Sequence, residues 1–254
     1  MKYVYGPVYS WRLGRSLGVD LLSQDEKICT FDCLYCQIGL GSKHATERKV
    51  YAPTHDVIAE LIALAGTQAD YITFSGRGEP TLAKNLGEVI SEVRKIRSQP
   101  IAVLTNGSLI CRNDVRKDLA LADAVACKLD AGSDKGFRIV NTPGPGIEFT
   151  DILKGLKDFR DMFGKKLALQ VMFIKENMTE AQKIADLARK IKPDEIQINT
   201  PLRPTSVDSL SREEVERIKG YFKGFKVISV YDRPEGAVRP VSEEDTLKRR
   251  GPRK

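Results

Sequence analysis

The sequence predicts an α/β fold: a partial (β/α)6, TIM-like barrel of parallel strands with outer helices. Three observations predict it. Six short, apolar, β-rich runs alternate with amphipathic helical patterns through most of the 254 residues. Parallel strands need crossover connections, and right-handed crossovers wind them into a barrel or an open sheet. Six units are too few to close an eight-fold barrel. Finally, polar residues collect where the runs end, the rim that carries the active site in such folds.

The first run, Leu17–Leu22, follows Trp11-Arg12-Leu13-Gly14-Arg15-Ser16. The arginines there suit phosphate or carboxylate recognition, or a surface arm paired with acidic residues. Thr54–Ala65 puts Val57, Leu61, Leu64 and Ala65 on one helical face and stops at Gly66. Tyr71–Ser75 is the second strand, and helix Leu86–Ile96 gathers Val89, Val93 and Ile96. Ile101–Thr105 and Ala124–Leu129 are the third and fourth strands. Thr150–Phe163 then aligns Ile152, Leu156, Phe159 and Phe163 ahead of Gly164. Leu167–Ile174 and Glu195–Asn199 complete the six. Two later helices open with capping boxes, Thr179-x-x-Gln182 and Ser211-x-x-Glu214.

Alternation along the strands separates two faces. Val125, Cys127 and Leu129 oppose Ala126, Lys128 and Asp130; Leu169, Val171 and Phe173 oppose Gln170 and Met172; Ile196 and Ile198 oppose Gln197 and Asn199. The apolar sets suit packing under helices. The polar sets then point into a lumen where buried Lys, Asp, Gln and Asn need partners, and that interior reads as a binding cavity. Beyond Pro204, Ser211–Phe222 reads as a helix, Lys226–Tyr231 as a further strand, and Ser242–Arg250 as the start of a helix stopped by Gly251-Pro252. The expected organisation is a barrel over 1–204, with its N-terminal arm, and an extension over 205–254 ending in a basic tail.

The net charge is +7, and Lys248, Arg249, Arg250, Arg253 and Lys254 supply five of those charges. Subtracting those five from +7 leaves +2 for the body, so the charge marks a tail, either a solvated terminus or an RNA contact. There is no continuous apolar stretch for a signal peptide, and no segment approaches the roughly 20 residues that span a bilayer. Five cysteines, three of them crowded together, fit a reducing compartment and a metal site better than a disulfide framework. The expected location is the cytoplasm.

The crowded three are Cys29-Thr-Phe-Asp-Cys33-Leu-Tyr-Cys36. Three thiolates hold three irons of a cubane [4Fe–4S] cluster and leave the fourth iron open, a place to bind and reduce something. The alternatives are a structural zinc site completed by His44 or His55, although zinc usually takes spaced ligand pairs, and a ferredoxin-like carrier, which needs a fourth cysteine. Cys111 and Cys127 remain as hydrogen-atom donors, metal ligands or plain free cysteines; Cys127 sits on an apolar strand face, where free cysteine is common.

The Cys29/Cys33/Tyr35/Cys36 pattern, Ser75-Gly-Arg-Gly-Glu-Pro80 after the second strand and Leu104-Thr-Asn-Gly-Ser108 after the third together resemble the radical S-adenosylmethionine (SAM) superfamily, over about Tyr5 to Pro204. The resemblance implies a cluster on Cys29, Cys33 and Cys36, with SAM chelating the unique iron. One electron then cleaves SAM to a 5′-deoxyadenosyl radical that abstracts a substrate hydrogen, and an electron donor such as ferredoxin or flavodoxin is implied. It also places Tyr35 against the adenine, and Ser75, Gly76, Gly78 and Glu79 around the methionine moiety, with Thr105 and Asn106 in the same wall. Arg77 is within reach of the SAM carboxylate, Asp130 is a candidate for the ribose, and Asn199 and Thr200 flank the adenine.

Gly6 to Gly18 and Thr200 to Pro204 are similar to segments of a group of Fe–S oxidoreductases related to wyosine-type tRNA-modifying enzymes, whose longer members continue into a small helical module. The wyosine enzymes carry a second cluster on three further cysteines. Only Cys111 and Cys127 are left here, so that second site cannot be built. Arg77, Lys128 and Arg203 at the mouth point to a polar, anionic substrate: RNA, a peptide on a partner protein, or a small phosphorylated metabolite. The resemblance alone favours tRNA. Lys128 and Arg203 are the catalytic candidates. Lys128 suits a carboxylate anchor, a Schiff base, or a salt bridge to Asp130 or Glu79. The competing readings are a non-catalytic Fe–S or zinc scaffold and an activating enzyme for a partner protein.

Overall fold

A computed structural model of the chain describes residues 1–232, 236 and 238–252. One curled eight-stranded sheet organises it, in the order β1-β2-β5-β6-β7-β8-β9-β10. β1 (Val4–Ser10) turns back antiparallel onto β2 (Gly14–Val19). Residues 20–53 follow as a long loop, pinned in its middle by the two-residue strands β3 (Ile28–Cys29) and β4 (Lys43–His44). From there strands and helices alternate: α1 (Thr54–Ala63), β5 (Tyr71–Phe74), α2 (Leu86–Ile96), β6 (Ile101–Thr105), α3 (Asn113–Ala120) and β7 (Ala124–Lys128). Then come α4 (Asp134–Asn141), α5 (Phe149–Met162), β8 (Lys166–Met172), α6 (Ala181–Ile191), β9 (Glu195–Asn199), α7 (Arg212–Lys219), β10 (Val227–Ser229) and α8 (Glu243–Arg250). From β2 to β10 every neighbouring pair is parallel. The result is the expected half-barrel with helices outside.

The apolar strand faces do what their alternation implies. Phe74, Val103, Val125, Cys127, Leu169, Val171, Ile196 and Ile198 are all buried in one core cluster beneath the helices. The lumen face is built differently. Ala102, Ala124, Ala126 and Ala168 keep it open, and the β1–β2 hairpin tip brings Arg12 and Leu13 against them as a floor.

Four expectations change. The first strand begins at Gly14, because Ser10 and Tyr9 pair with Gly14 and Arg15 across the hairpin; polar Arg15 hides that start from an apolar reading. β1 was missed for lack of alternation, since Val4 to Val8 is buried on both faces. The Thr179 capping box does not form: Met178–Glu180 make a 3-10 turn and α6 opens at Ala181 without a side-chain cap. The local chain is fixed instead by Asn177, whose side chain accepts from the Ile174 amide at 2.9 Å and donates to the Asp130 and Met172 carbonyls at 2.6 and 2.9 Å. The Ser211 box does form, with Glu214 N–H on Ser211 at 3.2 Å and Ser211 N–H on Glu214 at 2.7 Å.

The fourth change concerns the C-terminus. β10 extends the sheet past β9, and the chain then lies along the opposite edge. The Val241 amide donates to the Gly6 carbonyl at 2.7 Å, Gly236 faces the Tyr9 ring, and α8 packs on β1. Arg249, expected in a solvated tail, has a side chain only 3% exposed and ion-paired with Asp20 at 3.3 Å. Arg253 and Lys254 lie outside the described residues. No helix among the described residues is long and apolar enough to cross a membrane.

Candidate active site

Apart from the short β3–β4 pair, the long loop after β2 has no regular structure, so side chains hold much of it. Arg48 is buried and donates to the Thr81 and Ala83 carbonyls at 2.8 and 2.9 Å, to Asp114 at 2.8 Å and to Asp118. Inside the loop, the Lys27 ammonium reaches Asp32 at 2.9 Å and the Gly39 carbonyl. Burial opposes ionisation of Asp32, but the Gly41 and Ser42 amides, the Ser42 hydroxyl and Lys27 together hold its carboxyl well below the usual range. The loop is therefore stitched by charged hydrogen bonds as well as by the packing of Leu21, Leu22, Phe31 and Ala52 into the core.

Within it, each cysteine of the triplet receives one N–H donor. Asn106 Nδ2 lies 3.6 Å from Cys29 Sγ, Asn141 Nδ2 3.5 Å from Cys33 Sγ, and Lys27 Nζ 3.5 Å from Cys36 Sγ. Donors aimed at sulfur are the outer-shell partners that orient and tune thiolate ligands. Burial pushes the Cys29 thiol up to about 12 and the Cys33 thiol to about 11, so ligation there releases protons. A structural zinc fits less well. Zinc in a structural site closes all four positions, and His55, one of the two histidines that could complete it, sits exposed beside Asp56. A cubane holds its ligand sulfurs apart by its own body, and the three donated sulfurs fit that group.

The second and third motifs close against this loop. A Cβ on Gly78 would stand 1.9 Å from the Ile28 carbonyl, and one on Gly76 2.2 Å from the Asp20 carboxyl. Only glycine lets the turn approach the strand that leads into Cys29. Glu79, 2% exposed, accepts from Thr81 N–H at 3.0 Å, Thr81 Oγ1 at 2.7 Å, Thr105 Oγ1 at 2.5 Å and Asn106 N–H at 2.7 Å. Burial raises its carboxyl pKa against the pull of those donors. Asn106 and Ser108 both donate to Thr30 Oγ1 at 2.7 Å, tying the third motif to the residue after Cys29.

Beyond Cys33, Asp130 anchors a second cluster of side chains. It accepts from the Met172 amide at 2.7 Å, from Asn141 at 2.8 Å and from the Tyr35 hydroxyl. Lys128 stands 3.5 Å from the Asp130 carboxylate and 4.4 Å over the Tyr35 ring, so it forms the salt bridge rather than standing alone. Burial first, then Asp130, holds the Tyr35 hydroxyl protonated, well above its usual pKa.

Cys29, Cys33, Cys36, Tyr35, Glu79, Asn106, Lys128 and Asp130 thus come together at the carboxyl ends of the strands. Others make hydrogen bonds within the chain. Arg77 donates to the Gln24 and Asp25 carbonyls at 3.0 Å each, pinning the loop. Arg203 donates to the Gly251 carbonyl at 2.6 Å, holding the C-terminal segment. Asn199 accepts from the Thr200 amide at 3.0 Å and Thr200 from the Leu210 amide at 2.9 Å, shaping the chain after β9. Ser75 meets the Tyr5 hydroxyl at 2.8 Å. Cys127 lies in the apolar core and Cys111 on the surface. Lys27, Thr30, Asn141 and Asp20 were missed. Lys27 carried a signal, two residues before Cys29, and Asp20 lies just past the end of its strand as Asp130 does; Asn141 had none.

A profile of the Radical SAM superfamily matches residues 27–188. Among curated proteins, the chain is 41% identical over 202 residues to a UPF0026 protein of Synechocystis, covering 79% of this chain and 76% of the relative. It is 38% identical over 259 residues to a protein named GTPase Obg from Brachyspira hyodysenteriae, covering 97% of this chain but only 38% of that protein's length. Among solved structures, TYW1 with a lysine–pyruvate adduct bound aligns with a TM-score of 0.65 over 83% of this chain and 74% of that one. At 17% identity, that likeness speaks for the fold alone.

Proposed function

The chain belongs to the radical SAM superfamily, whose enzymes use a [4Fe–4S] cluster and SAM, and from that premise we propose that it cleaves SAM reductively to act on a polar, anionic substrate. The observation that carries this reading is the set of three cysteine sulfurs, each with its own N–H donor, set against a glycine-rich wall. When bound, the cluster supplies the single electron that breaks the SAM carbon–sulfur bond.

The residues of the chain bind, orient and exclude water. Cys29, Cys33 and Cys36 hold the cluster. Gly76 and Gly78 bring the turn backbone up to the methionine end of SAM. Glu79 has its carboxylate taken up by Thr81, Thr105 and Asn106, so it fixes the shape of that wall. Tyr35, held by Asp130 and Asn141, borders the adenosine end, with Lys128 over its ring. Since Asp130 already accepts three hydrogen bonds, its part is to position Tyr35. The electron comes from a small carrier such as ferredoxin or flavodoxin.

Anaerobic reconstitution tests the reading. The reduced, cluster-loaded protein should release 5′-deoxyadenosine from SAM, measured by mass spectrometry, even without substrate. Cys29→Ala, Cys33→Ala and Cys36→Ala should each abolish both the cluster's visible absorption and that product, whereas Cys111→Ala keeps both. No 5′-deoxyadenosine from the loaded wild-type protein would sink the proposal and leave a scaffold. A tRNA substrate predicts binding that weakens steeply with salt.

A further inference from the structure

Arg12 enters the lumen from the hairpin tip and forms no ion pair among the described residues. Its Nε and Nη1 are buried and meet no hydrogen-bond acceptor among the described residues. Gln197, 2% exposed, lines the same pocket, and its Oε1 is buried without a partner too. Glu195 is an acid whose charge reaches Arg12, and it already serves Lys166 and Lys226 at 3.1 Å each and Gln197 Nε2 at 2.9 Å. An unpaired buried guanidinium is costly unless something pairs with it.

A second cation comes from the other side. A cavity of about 180 Å³ lies between Ser75 and Gly76 of the glycine-rich wall, Gln37 and Ile38 just past the last cysteine, and Arg249 and Arg250 of α8. Leu104 lines both this cavity and the small Arg12 pocket, so the two adjoin through one side chain. The Arg12 pocket itself, about 10 Å³, has room for roughly one water or a terminal oxygen. Burial and then the charge of Arg250 lower the Arg12 pKa to about 10, so the charge of Arg250 is felt at Arg12.

We propose that this lumen is an anion site, in which a small molecule sits beside the SAM wall with a carboxylate or phosphate group held between Arg250 and Arg12. It rests on the SAM-cleaving reading for its role as the substrate site, and it narrows the substrate to a compact anion. A nucleic-acid phosphate on an open surface would not need a guanidinium buried at the barrel floor. Arg250 and Arg12 are binding residues here, and Gln197 offers the acceptor for a neutral hydroxyl or amide of the same ligand.

The test uses the cluster-loaded full chain with SAM and, as probes, malonate and inorganic phosphate, at ionic strength fixed with potassium chloride. Thermal unfolding should show stabilisation by at least one probe, and which probe works tells carboxylate from phosphate. Arg12→Gln and Arg250→Gln should each weaken the apparent affinity about tenfold or more, the loss of a charge-assisted hydrogen bond, while the surface variant Arg15→Gln keeps it. Arg12→Met should raise the melting temperature of the anion-free protein while abolishing stabilisation by anion, because an unpaired buried charge is gone. If Arg12 variants do not fold, Arg250→Gln decides alone. Stabilisation by neither anion, stabilisation unchanged in Arg250→Gln, or binding of tRNA but neither small anion overturns the proposal. Failure of the SAM-cleaving reading looks different: wild-type protein that makes no 5′-deoxyadenosine, whatever the anions do.

Discussion

At the scale of single residues, Lys27 shows how one side chain joins folding to cofactor chemistry. Its ammonium, on a side chain 8% exposed, bonds Asp32 and lies 3.5 Å from the Cys36 sulfur. A fixed positive charge beside a cluster stabilises the reduced, more negative form, because hydrogen bonds and net charge near the sulfurs set the potential. Lys27→Met should therefore still assemble a cluster but move its midpoint potential to more negative values in a potentiometric titration. A shift in the other direction would contradict the assignment. Asn141 belongs to the same scale. It touches Cys33, Tyr35 and Asp130 at 3.5, 3.1 and 2.8 Å, joining the cluster loop to the Tyr35–Asp130 pair through one amide.

At the scale of elements, the cluster loop is held by Arg48 as an arch is held by a keystone. The guanidinium satisfies the Thr81 and Ala83 carbonyls and pairs with Asp114 and Asp118 of α3. Arg48→Ala leaves two buried carbonyls unmet and should cost about 2–4 kcal/mol by chemical denaturation. Arg48→Lys should recover only part of it, since an ammonium lacks the planar fork. The same contact has a pH signature. Arg112 is the largest influence on Asp114; burial opposes it, and Arg48 adds to it, so the folded carboxyl ionises well below its usual value. The folded state then binds fewer protons than the unfolded state near pH 4, so this stability is present above about pH 4 and lost on acidification. Asp114→Asn should flatten the acid limb of the stability–pH curve below about pH 4.

At the scale of the whole molecule, the open side of the half-barrel is bordered by both ends of the chain. β1 and α8 pack together, and Arg249 reaches Asp20, Ser23 and the Lys2 carbonyl from the last turn of α8. Asp20 also abuts Gly76, so the C-terminal helix is braced directly against the glycine-rich wall. Burial raises the Asp20 carboxyl pKa even with Arg249 present. Arg249→Ala strands that carboxylate and should cost about 3–5 kcal/mol near neutral pH. The sign with pH is fixed: a folded pKa above the unfolded one means stability falls as pH rises through it. The variant should therefore be relatively more stable at pH 5 than at pH 8, and Asp20→Asn in the same chain should erase that difference. Equal stability at both pH values in the single variant would show that Asp20 is not the group responsible.

The sequence by itself determined the cofactor chemistry and the fold class. Three ligands within eight residues are a local feature, and the periodicities of 2 and 3.6 are local too, so neither needs the rest of the chain to be legible. Tertiary structure alone decided the partners of the long cations. Arg77, Arg203 and Arg249 each read as charge available to a ligand or to solvent, and they bind loop carbonyls, a tail carbonyl and a buried carboxylate respectively. Arg12, in a segment that reads equally as a surface arm, is instead the guanidinium buried in the lumen. The physical reason is reach: a flexible arginine stem can serve any group within several ångströms, and which groups come that close is set by chain crossings far apart in sequence, such as α8 on β1 and Asn141 on Cys33.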